Sequence, residues 1–200
     1  MSVTTAVQSR DEVRGMCQQA VEMLGLTWRA FRSQDLRPLE PVAALGREIH
    51  QREKVLTASL ARAPAAEGAP EQPWRLAPMH LERVGDNIEL LARAVTTMIV
   101  EGVPFTERAV REVNTLFERA VELLECARDV ITTGNRVLVQ YVLEAGRAFE
   151  ETANDFAYAH QTRLIEGVCL AKASSLYLAL LDDLKGVEWH TRQIAERFRR

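Results

Sequence analysis

Apolar positions recur along this chain at spacings of three and four over long stretches, and nowhere do they alternate one in two. That period is the mark of helices with one face turned to a core. Val13, Met16, Cys17, Ala20, Met23, Leu24 and Thr27 predict a first helix, opening at or before the acidic pair Asp11-Glu12 and running to about Gln34. Leu36-Arg37-Pro38 marks the turn after it. Leu45, Ile49, Leu56 and Leu60 predict a second helix from about Glu40 to Arg62. Ala63 to Pro73 holds three prolines and a glycine and reads as a loop or flexible linker.

A third helix is predicted from near Trp74 to about Glu101, with Pro78 tolerated in its first turn. At about 100° per residue, Ile88, Leu91, Val95 and Met98 fall within about 40° of Val84. Gly102-Val103-Pro104 stops this helix. Thr106 is placed to cap a fourth, which carries Val110, Val113, Leu116, Phe117, Ala120, Leu124 and Ala127. After a turn at Thr132 to Asn135, a fifth helix takes Arg136 to about Glu166, with Phe149, Ala153, Phe156 and Leu164 inward and Gly167 as its cap. The sixth covers about Ala171 to Phe198, on a stripe of Val187, Thr191, Ile194 and Phe198. The fold class is therefore all-α, with six helices.

The two halves echo each other. Gln19 to Leu24 (Gln-Ala-Val-Glu-Met-Leu) matches Arg119 to Leu124 (Arg-Ala-Val-Glu-Leu-Leu). Leu81 to Arg93 can be laid on Leu184 to Glu196, which pairs Val84 with Val187 and Leu91-Ala92 with Ile194-Ala195. A period near half the chain predicts two tandem three-helix bundles, residues 1–102 and 103–200, with the proline-rich loop at 63–73 inside the first.

Composition narrows the function. Apolar residues make up 47% of the 200, enough for a sizeable core. The net charge of −3 argues against a general nucleic-acid binder, which needs a basic face. Cys17, Cys126 and Cys169 stand far apart with no CxxC spacing, which predicts buried thiols in a reducing compartment rather than a disulfide frame or a zinc site. No apolar run reaches the roughly 18 residues of a membrane span, and the N-terminus lacks the pattern of a signal peptide. The expectation is a cytoplasmic protein, peripheral to a membrane at most.

The candidate chemistry lies in His80-Leu81-Glu82-Arg83-Val84-Gly85-Asp86-Asn87. Glu82 and Asp86 are one helical turn apart, on the face opposite the apolar stripe. Two such carboxylates can share a divalent cation. The plainer reading is a solvated polar face, with Glu89 and Arg93 as an i,i+4 ion pair. His50 reaches a metal at Glu82 only if the second and third helices are neighbours, and otherwise serves as an exposed or hydrogen-bonded histidine. His80 points away from Glu82. His160 lies near an apolar face and reads as a hydrogen-bonded structural histidine, and His190 has no carboxylate at i±4. None of the G-x-S-x-G, HExxH, GxxxxGK or GxGxxG motifs is present.

The His80–Asn87 stretch resembles the ExxxD helix signature of the PhoU family. His160-Gln161-Thr162-Arg163-Leu164, then Gly167 and Cys169, then Tyr177 to Leu184 and the close at His190 and Gln193 to Glu196, resemble the second repeat of PhoU-like domains. The likeness is greatest to those attached to sodium-phosphate cotransporters. The resemblance implies PhoU-like, spectrin-like up-down repeats and a non-enzymatic regulator of phosphate uptake and homeostasis. Its implied partners are a phosphate transporter or a phosphate-sensing histidine kinase. It also implies a divalent ion, iron or zinc, on Glu82 and Asp86, and a homodimer is expected through outward faces.

The second half departs from that signature. Lys185 and Trp189 stand where Glu82 and Asp86 stand in the first. A protonated ammonium cannot ligate a metal and an indole offers no acceptor, so a second site is lost. Trp189 lies about 200° round the helix from Val187, which makes it either a seal between the bundles or an anchor for a partner. Two other readings remain beside the regulator: a helical adaptor of the same fold with no metal and an unrelated partner, and a carboxylate-bridged metalloenzyme. The last needs inward acidic ligands, which Glu82 and Asp86 are not.

Overall fold

The computed structural model describes residues 3–62 and 72–199, with side chains described from 8 to 60 and from 72 to 199. It has six long helices: α1 (Val3–Ser33), α2 (Val42–Arg62), α3 (Ala77–Val100), α4 (Glu107–Thr133), α5 (Arg136–Ile165) and α6 (Ala171–Glu196). No strand occurs among the described residues. Short 3-10 turns at Arg37–Leu39 and Pro73–Leu76 lead into α2 and α3. Of the expected loop at 63–73, residues 63–71 lie outside the described ones, and Pro73 opens the second of these turns.

The helix ends follow local chemistry. Thr106 Oγ1 accepts a hydrogen bond from the Ala109 amide at 3.2 Å and starts α4. Asn135 Oδ1 does the same for Val137 at 2.9 Å and starts α5. Gly134 and Gly167 close α4 and α5 in the left-handed region, at φ 63° and 72°, where a Cβ would be strained. Gln34 takes φ 53° after α1, and its carboxamide donates to Phe31 O at 2.8 Å, returning one bond to the helix end.

α2 packs on α1 and α3, and α5 packs on α4 and α6. The two sets meet along two long seams, α1 on α4 and α3 on α6. The stripes all point into the space these four helices enclose. Val13, Met16, Val84, Ile88, Val113, Leu116, Leu184 and Val187 have no exposed surface and belong to one continuous core. Each large buried side chain contributes about 1.5–3 kcal/mol on transfer from water. The α1–α4 seam is pinned by Trp28, whose Nε1 donates to Asn114 Oδ1 at 2.7 Å while its ring stacks on Phe117.

Two expectations need correction. Leu164 is not inward: it is 37% exposed, because the inward positions at that end of α5 belong to His160 and Arg163. Those two turn in because they find partners there, His160 with Ser174 and Arg163 with Glu112. The thiols are not all buried either. Cys17 is, with Sγ donating to Leu124 O, but Cys126 and Cys169 are partly open to solvent.

The α3–α6 seam is close. A Cβ on Gly186 would run into the Asn87 carboxamide, whose Nδ2 is held by Arg83 O at 2.7 Å. Gly186→Ala is therefore expected to lower stability by about 1–3 kcal/mol through overpacking, despite alanine's better helix propensity. Adding Asn87→Ala removes the clash, so the double variant should recover most of the loss. Urea unfolding of the four-member cycle checks this, and simple additivity would refute the contact.

Candidate functional site

The outward side of α3 and the flank of α6 collect most of the paired titratable groups that are not core. Leu81, Val84, Ile88 and Leu91 turn one side of α3 inward, which leaves Glu82, Arg83 and Asp86 outside. Glu82 is held down, with 18% of its side chain exposed, while Asp86 is 49% exposed. α2 lies beside α3 and brings His50 Nδ1 to 3.2 Å from Glu82 Oε1. This neighbour supplies a hydrogen-bond partner for His50, and the i,i+4 pair Glu89–Arg93 forms as expected, at 3.5 Å.

Arg83 decides what the carboxylates do. Its Nε lies 3.5 Å from Glu82 Oε2, and its Nη1 lies 3.1 Å from Asp86 Oδ2. One guanidinium thus binds both acids and neutralises the charge that would draw a cation. Among the described residues no group of three or more His, Cys, Asp or Glu side chains comes together as a ligand set. As placed, Glu82 and Asp86 are both engaged by Arg83, which a divalent ion would have to displace, and among the described residues His50 is the imidazole that contacts Glu82.

The equivalent surface of α6 is built differently. Lys185 Nζ is 2.8 Å from Asp182 Oδ1 and also donates to Asn154 Oδ1 of α5 at 3.4 Å. The carboxyl of the adjacent Asp183 is pushed up to about 6 by burial and by Asp182 beside it. Glu188 stands where the first half has Gly85 and is buried. It binds Arg192 Nε at 2.7 Å, and Arg192 in turn reaches Glu150 at 2.7 Å. Gly146 makes room for this pair, since a Cβ there would collide with the Glu188 carboxylate.

Where α3 crosses α6, two histidines 110 positions apart meet, with His80 Nδ1 3.2 Å from His190 Nδ1. Trp189 covers them. Its ring lies edge-on to His80, 6.3 Å between centroids, and 46% of Trp189 remains exposed. Trp189 therefore both seals the crossing and presents an aromatic face to solvent. No spacing in the sequence pointed to the histidine pair. Arg83 carried a signal that was passed over: it is adjacent to one acid and three residues from the other, on one helical face.

The buried ion cluster inside the α4–α6 half was also missed. Glu112 accepts from Arg163 Nη2 at 2.8 Å, from Tyr177 Oη at 2.6 Å and from Arg108 Nε at 2.9 Å. Burial would raise its carboxyl, but these three donors hold it below the usual carboxylate range. The available sign was a glutamate on the apolar stripe of α4, one turn before Leu116.

No protein-family model matches the chain, and no curated protein matches it. Among solved structures it is similar to PhoU from Pseudomonas aeruginosa, at a TM-score of 0.86 and 20% identity over 99% of this chain and 97% of that one. It is also similar to the phosphate transport system regulatory protein PhoU from Streptococcus pneumoniae, at a TM-score of 0.74 and 16% identity over 96% and 91%. The fold is that of PhoU.

The histidine crossing generates a pH dependence. Burial, with help from the positive charges of His190 and Arg197, lowers His80 from 6.5 to about 4. The unfolded chain takes this proton near pH 6.5 and the folded chain refuses it until about 4. The site's contribution is thus fully present above pH 6.5 and is lost as pH falls through that window. His190 is lowered in the same direction, by burial and by Arg83. The urea midpoint should drop between pH 7 and 5, and His80→Leu should flatten that drop. An equal drop in both proteins would refute the assignment.

Proposed function

We propose that this chain is a PhoU-like regulator of phosphate transport that acts by protein contact and not by catalysis. The observation that carries this reading is the coverage of the likeness: 99% of this chain and 97% of a PhoU superpose, leaving little on either side unaccounted for. The site agrees with it. On the α3–α6 surface Glu82, Asp86, Asp182 and Glu188 are each taken up by arginine or lysine, which commits these four to ion pairs rather than to proton transfer. The partner is a phosphate transporter or a phosphate-sensing histidine kinase, met at the face that displays Trp189. An exposed tryptophan held by two histidines loses little side-chain freedom on docking, which favours such a residue as an anchor.

Arg83 is the specific observation favouring a second reading, a helical adaptor of this fold that works without metal and serves another partner. It fills the place a divalent ion would need. Under the regulatory reading, iron or zinc at Glu82 and Asp86 binds only in competition with Arg83.

Two experiments test these statements. In the source cell deleted for this chain, phosphate uptake in phosphate-rich medium should become misregulated, with the unaltered chain restoring control and Trp189→Ala failing to do so. Unchanged uptake after deletion would sink the regulatory reading, and full restoration by Trp189→Ala would remove only the role of that residue. For the metal, calorimetry with Zn²⁺ is expected to show several-fold tighter binding to Arg83→Gln than to the unaltered chain, and none once Glu82 and Asp86 are alanine. Equal affinity with and without Arg83 would show that it does not compete.

A further inference from the structure

The end of the bundle far from Arg83 holds a second, unused cluster. A cavity of about 220 Å³ lies between the α3–α4 loop and the α5–α6 loop, lined by Phe105, His160, Val168, Cys169, Leu170 and Tyr177 among others. Cys169 Sγ lies 4.0 Å from His160 Nδ1, and His160 Nε2 is fixed by Ser174 Oγ at 2.7 Å. This is the order of nucleophile, base and orienting group. Burial and the charge of Arg163 lower His160, so its imidazole is neutral at neutral pH and free to take a proton. Arg163 is also buried and interacts with Cys169. Two of its nitrogens serve Glu112, but its Nε–H has no acceptor. A buried donor without a partner is costly, and an anionic or oxygenated sulfur beside it would supply one.

We propose that Cys169 is a redox modification site, oxidised by hydrogen peroxide to a sulfenic acid. His160 takes the thiol proton. The thiolate attacks one peroxide oxygen, so the S–O bond forms as the O–O bond breaks. Sulfur gives up two electrons to the peroxide, and the departing hydroxide takes the proton from His160 and leaves as water. The cavity has room for the small oxidant, and Arg163, which interacts with Cys169, is the donor available to the oxidised sulfur. The other two thiols are built the opposite way. Burial pushes Cys17 up to about 12, and Cys126 is raised by burial and by Glu122, Asp129 and Glu125.

The test is peptide mass spectrometry of the full chain after a few equivalents of hydrogen peroxide, with dimedone to trap sulfenic acid. Labelling at Cys169 is expected about tenfold or more above Cys126 and Cys17. His160→Gln should slow it by about tenfold or more while leaving Cys126 unchanged. Ser174→Ala frees the ring without removing it, and should slow Cys169 several-fold in a chain that keeps its circular dichroism. Labelling of Cys126 as fast as Cys169, or a Cys169 rate untouched by both variants, would overturn the proposal.

Discussion

The close packing of α3 on α6 is the contact on which the rest of the molecule depends. Gly186 lets the two helices approach until the Asn87 carboxamide fills the space a side chain would take. At that distance Val84 and Val187 both lie wholly in the core, and the stripes of the two three-helix sets merge into one apolar interior. The α1–α4 seam completes the enclosure, with the Trp28–Asn114 bond closing one part of it. A chain of this length gains more from one shared core than from two small ones, because the fraction of surface buried rises with size.

The same approach sets what chemistry the seam can hold. Side chains at the crossing must fit around each other, so His80 and His190 meet through their Nδ1 atoms and Trp189 lies over them. Away from the crossing, several carboxylates of α3 and α6 have a cationic neighbour within reach. Arg83 takes Glu82 and Asp86, Lys185 takes Asp182, and Arg192 takes Glu188 and Glu150. The two halves reach a similar charge balance by different residues. In the first, acids on the surface meet an arginine from their own helix. In the second, a lysine has replaced the acid, and a buried glutamate occupies the place of Gly85. Beside these ion pairs, the half-exposed ring of Trp189 adds an aromatic element to this surface.

Much of this was readable along the chain, and the reason is local. Helices report themselves through a period that needs no partner to be seen, and caps such as Thr106 and Asn135 act on amides two or three residues away. The positions of Glu82 and Asp86 on the outer side of α3 follow from the same period. Where the reading failed, a long-range partner had intervened. Leu164 is exposed because His160 and Arg163 claim the inner positions, drawn by Ser174 fourteen residues away and Glu112 fifty-one away. Cys169 looked like a thiol destined for burial, yet it lies at the rim of a cavity whose other wall comes from the α3–α4 loop.

The sequence by itself determined six helices, their boundaries to within a few residues apart from the start of α1, the apolar faces and the outward placing of Glu82 and Asp86. These are consequences of periodicity and of backbone capping, which act within a turn or two. Only the tertiary structure decided what the polar groups do. It brought His50 to Glu82, His80 to His190 and Cys169 to His160, and it showed Arg83 holding the two acids. Such pairings depend on which helices become neighbours and how closely they approach, and a one-dimensional pattern carries no distance between residues far apart in the chain.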